Sequence, residues 1–443
     1  MERYDVIIIG GGVVGTALLY VLSRYTNIEK IMLIEKYSKF GQVNSNKNNN
    51  SQTLHFGDIE TNYNLEKAKR VNEAASMVKQ YLKNCDKSVY IKTHKIVLGV
   101  GHEQVELLKT RYMGFKKLFP KLKLINQSEI WVIEPMVLEG RDKNEEIIAL
   151  YSDDGYGVNY DILAENFVKN AKKERSVEVK LNEKVEKIIR KNQGYEVITS
   201  KESYNSKLVV VCSGSHSLLF AKSLGYGKEL GILPVAGSFF GTKKKFLNGK
   251  VYTIQIERLP FAAIHGDPYV DNINETRFGP TAKVLPLLER HNYFTVLDFL
   301  KTSVWNFIGI ISLFKILFDP IIFKYVLKNV FYDFPVIGKR LFVKEIKKIV
   351  PTLKYSDLEY KKGYGGIRPQ VVNWKKMKLQ MGDAKIYGEN IIFNITPSPG
   401  ASVCLKNAEL DTRKILYFFK ENFGENYLFY EKKFKKDLLY PIK

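Results

Sequence analysis

The chain has 443 residues, of which 45% are hydrophobic and 13% aromatic, enough for two lobes with cores and too much for a disordered chain. A formal charge of +22 draws polyanions, either nucleic acid or an anionic membrane, unless the lysines only coat solvated faces. Three distant cysteines, Cys85, Cys212 and Cys404, exclude a disulfide framework, and no His/Cys/Asp/Glu cluster has metal-ligand spacing, so no metal is expected.

Residues 4–9 (YDVIII) read as a buried parallel strand, Gly10-Gly11-Gly12 as a tight turn, and residues 13–25 as a helix. Residues 31–34 form a second buried strand ending at Glu35. An Asn-rich polar loop (44–52) follows, then helical spacing over 65–82, a strand over 90–100 and a helix over 103–117. Residues 164–173 predict a helix, and 177–181, 185–190 and 195–199 predict strands. The run LVVV (208–211) is a third buried strand entering Cys212-Ser213-Gly214. Residues 232–285 are β-rich, 286–350 turn helical and apolar, 391–393 form a last buried strand, and a helix covers 402–421. No signal peptide or apolar run of membrane-spanning length is expected. Buried strands near 5, 33, 209 and 392 predict an α/β fold: a doubly wound domain assembled from several segments, with an inserted α+β domain of mixed sheet and helices.

Gly10-Gly11-Gly12-Val13-Val14-Gly15 is a GxGxxG run between a strand and a helix, and Glu35 follows Gly15 by 20 residues. Gly10 permits the turn, and Gly12 brings the backbone, with Val13 and Val14, to a pyrophosphate at the helix N-terminus. Gly15 permits close helix–strand packing, and Glu35, next to Lys36, accepts from a ribose hydroxyl and repels a 2′-phosphate. The N-terminal placement, the Ser213-Gly214 turn and the late strand–turn–helix around Pro399, Gly400, Ala401 and Ser402 favour FAD over NAD. The cofactor domain is expected over 1–85, 160–232 and 360–425. The substrate domain is expected over 86–159 and 233–359, with a membrane-associating helical region at 300–345.

Further segments run in order along the chain: SQTLHFGDIETNY (51–63), LPVAGSF (233–239), HGDP (265–268), RFGPTA (277–282), GGIRPQ (365–370) and TPSPGA (396–401). Together they resemble the FAD-dependent malate:quinone oxidoreductases of the D-amino-acid-oxidase-like flavoprotein superfamily. The resemblance implies oxidation of malate to oxaloacetate, electron transfer through FAD, and reduction of a quinone at a membrane surface. It also implies peripheral attachment to the inner face of an energy-transducing membrane, bacterial or mitochondrial.

Oxidising a 2-hydroxy acid requires a cation for its carboxylate and a base for its hydroxyl proton. Arg368, in Gly366-Ile367-Arg368-Pro369, is the expected carboxylate clamp, because related flavoenzymes use the Arg of a Gly-x-Arg-Pro segment in this way. Arg277 is a second candidate. His265 of HGDP is the expected base, with His55 as its rival in the loop that the superfamily sets beside the flavin. Ser51, Gln52 and Thr53 can hydrogen-bond flavin or phosphate oxygens, and the backbone at Val185 is expected near the adenine. The uncharged run SVWNFIGIISLF (303–314) suits an interfacial helix, with Lys339 and Arg340 near anionic lipid. The alternatives are a flavoenzyme for another small acid, such as 2-hydroxyglutarate or an amino acid, and an NAD-dependent dehydrogenase. A nucleic-acid-binding protein is disfavoured, since no binding motif stands out.

Overall fold

Strand order reverses at the first strand. Arg3–Ile9 lies at the centre of a parallel sheet, flanked by Ile31–Ile34 and Glu178–Lys180 on one side. Ser203–Val211 and Ile391–Ile395 flank it on the other. The sheet belongs to a computed structural model that describes residues 3–255, 263–332, 334–380, 384–395 and 399–439. Residues 396–398 of the TPSPGA segment lie outside the described residues.

The central strands carry apolar runs, at residues 6–9, 31–34, 208–211 and 391–393, because both faces are covered there. Helices Val13–Tyr25, Tyr160–Glu174 and Cys404–Phe423 bury one face through Leu18, Leu22, Phe167 and Phe419. The hairpin Val185–Lys191/Gly194–Thr199 and helix His216–Ser223 bury the other through Ile188, Val197 and Leu218. Such an order leaves a crevice at the carboxyl ends of the strands beside the reversal point, where open α/β sheets bind ligands. Gly10, Cys212-Ser213-Gly214 and the segment at Pro399 all follow those ends.

A second sheet is antiparallel, in the order Lys283–Val284, Leu230–Ala236, Ile367–Asn373, Lys378–Gln380. A third, mixed sheet runs Glu359–Tyr360, Phe240–Gly241, Thr276–Gly279, His265–Pro268, Lys250–Thr253, Tyr90–Val100, Ile147–Val158, Lys123–Ile125. The register of the second sheet sets Arg368 opposite Val235. The third sets Asp267 opposite Arg277.

The apolar run 303–314 is not one helix. A π-helical turn, Leu300–Val304, ends before Trp305, and Phe307–Leu317 begins after Asn306 at 96° to the preceding helix. The Asn306 side chain accepts from Ile308 N at 2.9 Å, capping the new helix and stopping the old one. Pro320–Phe331 and Pro335–Ile346 complete the layer. Among the described residues no single helix is long and apolar enough to cross a membrane. The predicted helix at 164–173 begins earlier, at Tyr160, and the strand expected over 177–181 shortens to Glu178–Lys180.

Candidate active site

The dinucleotide end is built by close backbone approach. A Cβ on Gly10 would meet the Cys212 carbonyl oxygen at 2.6 Å, and one on Gly15 would meet the Gly10 carbonyl oxygen at 2.1 Å. Gly10 also has φ +110°, which only glycine adopts cheaply. Helix Val13–Tyr25 starts with no side-chain cap at Gly12 and no acidic residue in its first turn. Its positive end is thus left for an anion. Glu35 is buried and accepts from Gly11 N at 2.6 Å and Tyr37 N at 2.9 Å. Burial raises its carboxyl pKa, against the pull of those two bonds. Each oxygen keeps a lone pair for a ribose hydroxyl. Both the helix end, with no acidic residue in its first turn, and the buried acid suit a dinucleotide of the FAD or NAD kind.

The Asn-rich loop, featureless in sequence, is the hub of the site. Ser45 Oγ accepts from Val13 N at 3.0 Å, and Asn44 Oδ1 accepts from Ile367 N at 3.1 Å. Arg277 donates to the Asn50 carbonyl at 3.2 Å, and Lys250 donates to the Ser51 carbonyl at 2.7 Å and to Thr53 Oγ1. Gln52, at φ +50°, donates its amide to Asn159 at 2.6 Å, while its Oε1 is buried without a partner. Ser402 Oγ takes the His55 N–H at 2.9 Å and donates to the Thr53 carbonyl at 3.3 Å. Segments 10–15, 44–55, 366–368 and 399–402 therefore meet.

His265 is 1% exposed. Its Nδ1 is 3.1 Å from the Ala263 carbonyl, which only accepts, so the proton sits on Nδ1 and Nε2 keeps its lone pair. Nε2 has no hydrogen-bond partner among the described residues. Burial drives the imidazole pKa well below its ordinary value, and the Lys250, Arg277 and Arg368 cations add to that effect. Tyr252 lies against the ring, with centroids 4.7 Å apart. His55 differs: its Nδ1 is 2.7 Å from Glu60 Oε1. Burial alone would raise the Glu60 carboxyl, but His55 and Lys95 outweigh it and hold the pKa at about 2.

The two arginines also differ. Arg277 is wholly buried and binds Asp267 Oδ2 through Nε at 3.2 Å and Nη2 at 3.0 Å, so a carboxylate of the chain already occupies its fork. Arg368 has no hydrogen bond or ion pair among the described residues. Burial lowers its pKa, opposed by Tyr325 of helix Pro320–Phe331 and by Tyr252.

Other expected positions stand apart or are engaged. Lys36 pairs with Glu289, which also takes the Tyr37 hydroxyl. Val185 pairs with Thr199, and its side chain is buried among the hairpin residues. Ser213 N donates to Ser217 Oγ, and a Cβ on Gly214 would meet Asn44 Nδ2 at 3.8 Å, an ordinary contact. Pro399 and Ala401 are half-buried and Gly400 is buried, just before helix Cys404–Phe423. His94 binds the buried Glu134, and His216 faces Asp298 at 3.5 Å. The sequence reading missed Asn44, Ser45, Lys250, Asp267 and Tyr325; only Asp267, inside HGDP, carried a signal. It also missed an exposed trio, His102, Glu106 and Glu146, that folding brings within ligating distance of one another.

The fold is shared with solved oxidases and dehydrogenases. L-proline dehydrogenase from P. horikoshii superimposes with a TM-score of 0.66 over 96% of this chain and 99% of its own, at 15% identity. Dithionite-reduced L-α-glycerophosphate oxidase from Mycoplasma pneumoniae, with FAD bound, gives 0.64 over 94% and 95%, at 18% identity. At such identities the likeness defines the fold class alone. The sequence itself goes further. The malate:quinone oxidoreductase family model matches residues 2–426. The malate:quinone oxidoreductase of Helicobacter pylori is 43% identical over 95% of this chain and 96% of its own. A probable malate:quinone oxidoreductase of Campylobacter jejuni is 41% identical over 99% of both. The chain belongs to the malate:quinone oxidoreductase family.

Proposed function

We propose that this chain oxidises (S)-malate to oxaloacetate at a bound flavin and passes the electrons to a quinone drawn from a membrane. The cofactor is FAD; malate and a quinone are the substrates. One observation carries the site assignment: a half-buried guanidinium with no carboxylate partner among the described residues, Arg368, acts on a buried imidazole whose Nε2 has no partner there either, His265. When bound, FAD supplies the acceptor for the C2 hydride and the donor to the quinone. Gly10, Gly12, Val13, Val14 and Gly15 hold its pyrophosphate and Glu35 its ribose, with Lys36 and the Val185 backbone beside the nucleotide. Ser51, Gln52, Thr53, Ser213, Gly214 and the 399–402 turn line its flavin end. Arg368 clamps one malate carboxylate, His265 takes the hydroxyl proton, and His55, held by Glu60, orients the loop. Arg277 acts by neutralising Asp267 and not as a substrate anchor.

Segments 1–85, 160–232 and 360–425 form the cofactor domain of this reading, and 86–159 with 233–359 form the substrate domain. The sheet formed by Leu230–Ala236 and Ile367–Asn373 joins the two.

The helical layer is the membrane face. Phe294 and Trp305 are 88% and 84% exposed, and Phe307, Ile311, Phe314, Phe318, Phe323 and Leu327 continue the apolar surface. Lysines 301, 315, 324 and 328, with Lys339 and Arg340, supply charge for anionic headgroups. A quinone is lipid-soluble, and this face brings its reservoir to helix Pro320–Phe331, whose Tyr325 acts on Arg368. The protein sits peripherally on the inner face of the membrane.

The test is steady-state reduction of a short-chain quinone by purified protein offered malate, 2-hydroxyglutarate or amino acids in turn. Malate supports turnover in this reading. Turnover with another acid and none with malate would move the substrate while leaving the fold untouched.

A further inference from the structure

Beneath His265 lies a group that a carboxylate clamp and a base do not account for. Asp267, two residues along the same strand, projects to the same side as His265, because side chains alternate along a strand. Its Oδ1 lies 3.8 Å from His265 Nε2, and both atoms are buried with no hydrogen-bond partner. With Nδ1 carrying the ring proton, two acceptors face each other across a gap too wide for a direct bond and hostile to a second lone pair. Such a pair costs free energy unless a proton arrives.

The rest of Asp267 is fixed. Arg277 holds Oδ2 through two nitrogens, and Lys250 Nζ stands 3.4 Å from the same oxygen. Only Oδ1 is therefore free to respond. The groups acting on the ring are Lys250 and Arg277 from the two strands that flank its own and Arg368 from the second sheet, all cations, with Tyr252 against its face. Asp267 is the one anion within 4 Å of the ring among the described residues.

We propose that Asp267 is a positioning residue for malate oxidation, holding an unpaired carboxylate oxygen ready for the imidazolium that forms on His265. This rests on His265 being the base. The malate O–H bond breaks, its proton bonds to Nε2, the O–H electron pair becomes the carbonyl π bond, and the C2 hydride leaves to FAD. Nε2–H then has an anion beside it where three cations would otherwise oppose its charge.

The experiment compares wild type, Asp267→Asn, Asp267→Glu and His265→Ala by the pH profile of kcat/KM for malate, using a soluble dye acceptor. Flavin content and thermal unfolding serve as controls. Without the carboxylate, His265 loses the anion beside Nε2 while the cations remain, so the acid limb of Asp267→Asn moves down by about one pH unit or more. Its kcat falls at least about tenfold, with KM nearly kept. Asp267→Glu keeps the limb near that of the wild type. If Asp267→Asn does not fold, Asp267→Asn/Arg277→Gln removes the orphaned cation too; loss of that cation by itself raises the limb, so the double variant is read against Arg277→Gln, and its limb is expected below that of the single variant. An unmoved limb in a folded, flavin-loaded Asp267→Asn, or a double variant whose limb matches that of Arg277→Gln, alongside a crippled His265→Ala, overturns the role of Asp267 alone. Near-normal turnover of His265→Ala overturns the base assignment on which it rests.

Discussion

Replacing Arg277, which is buried, and Arg368, which is half-buried, by alanine in turn separates a substrate clamp from a structural cation. Arg277 faces Asp267 through two hydrogen bonds, so Arg277→Ala strands a buried carboxylate with only Lys250 3.4 Å away. Breaking a buried pair in this way costs about 3–5 kcal/mol of folding free energy. Arg368 has no carboxylate to strand among the described residues. Arg368→Ala removes a desolvated charge, and folding stability stays level or rises. The loss falls on the substrate: truncating one side of a buried charged pair costs about 2–5 kcal/mol, or roughly 30- to 4,000-fold in kcat/KM. The assay is kcat and KM for malate with a dye acceptor, together with thermal unfolding and flavin content. The reasoning predicts a large rise in KM and an unchanged melting temperature for Arg368→Ala, and a clear fall in melting temperature for Arg277→Ala. An unaltered KM for Arg368→Ala, or destabilisation matching that of Arg277→Ala, would refute it.

His265→Ala should lower kcat by about 10²- to 10⁴-fold with flavin retained, the usual worth of a positioned base, and turnover close to wild type would move the role to His55. The pH dependence has a definite sign. Burial first, then Lys250, Arg277 and Arg368, depresses the His265 pKa. The free base therefore persists as pH falls below 6.5, and kcat/KM declines only through the lower folded value. An acid limb at or above the ordinary histidine value, lost in His265→Ala, would contradict the burial argument. Glu35→Ala should release FAD on dilution and ultrafiltration, since the buried carboxylate that both caps Gly11 and receives the ribose is gone; full occupancy would count against it.

The strand, glycine turn and helix over residues 3–25 were legible because local physics fixes them. A strand, three glycines and an acid 20 residues on have one sensible arrangement, and the same close approaches that exclude a Cβ at Gly10 and Gly15 made the pattern visible. The loop at 44–52 was opaque for the opposite reason. Its asparagines show no periodicity, and their partners, Ile367 and Arg277, lie hundreds of residues away. Arg277 looked like an anchor because sequence spacing cannot show that a turn between two short strands brings Asp267 into its fork. The apolar run at 303–314 was read as one helix because Asn306 is an ordinary polar residue until its side chain caps the next segment. Lys250 and Tyr325 sit in stretches rich in Lys and Tyr, where composition hides a buried example.

The most direct test of the central claim is the visible spectrum of the purified protein, recorded anaerobically before and after L-malate. The account predicts a flavin band that malate bleaches and a quinone then restores. A flavin band that malate leaves intact while another small acid bleaches it would contradict the substrate, and absence of the band even after FAD is added would contradict the cofactor.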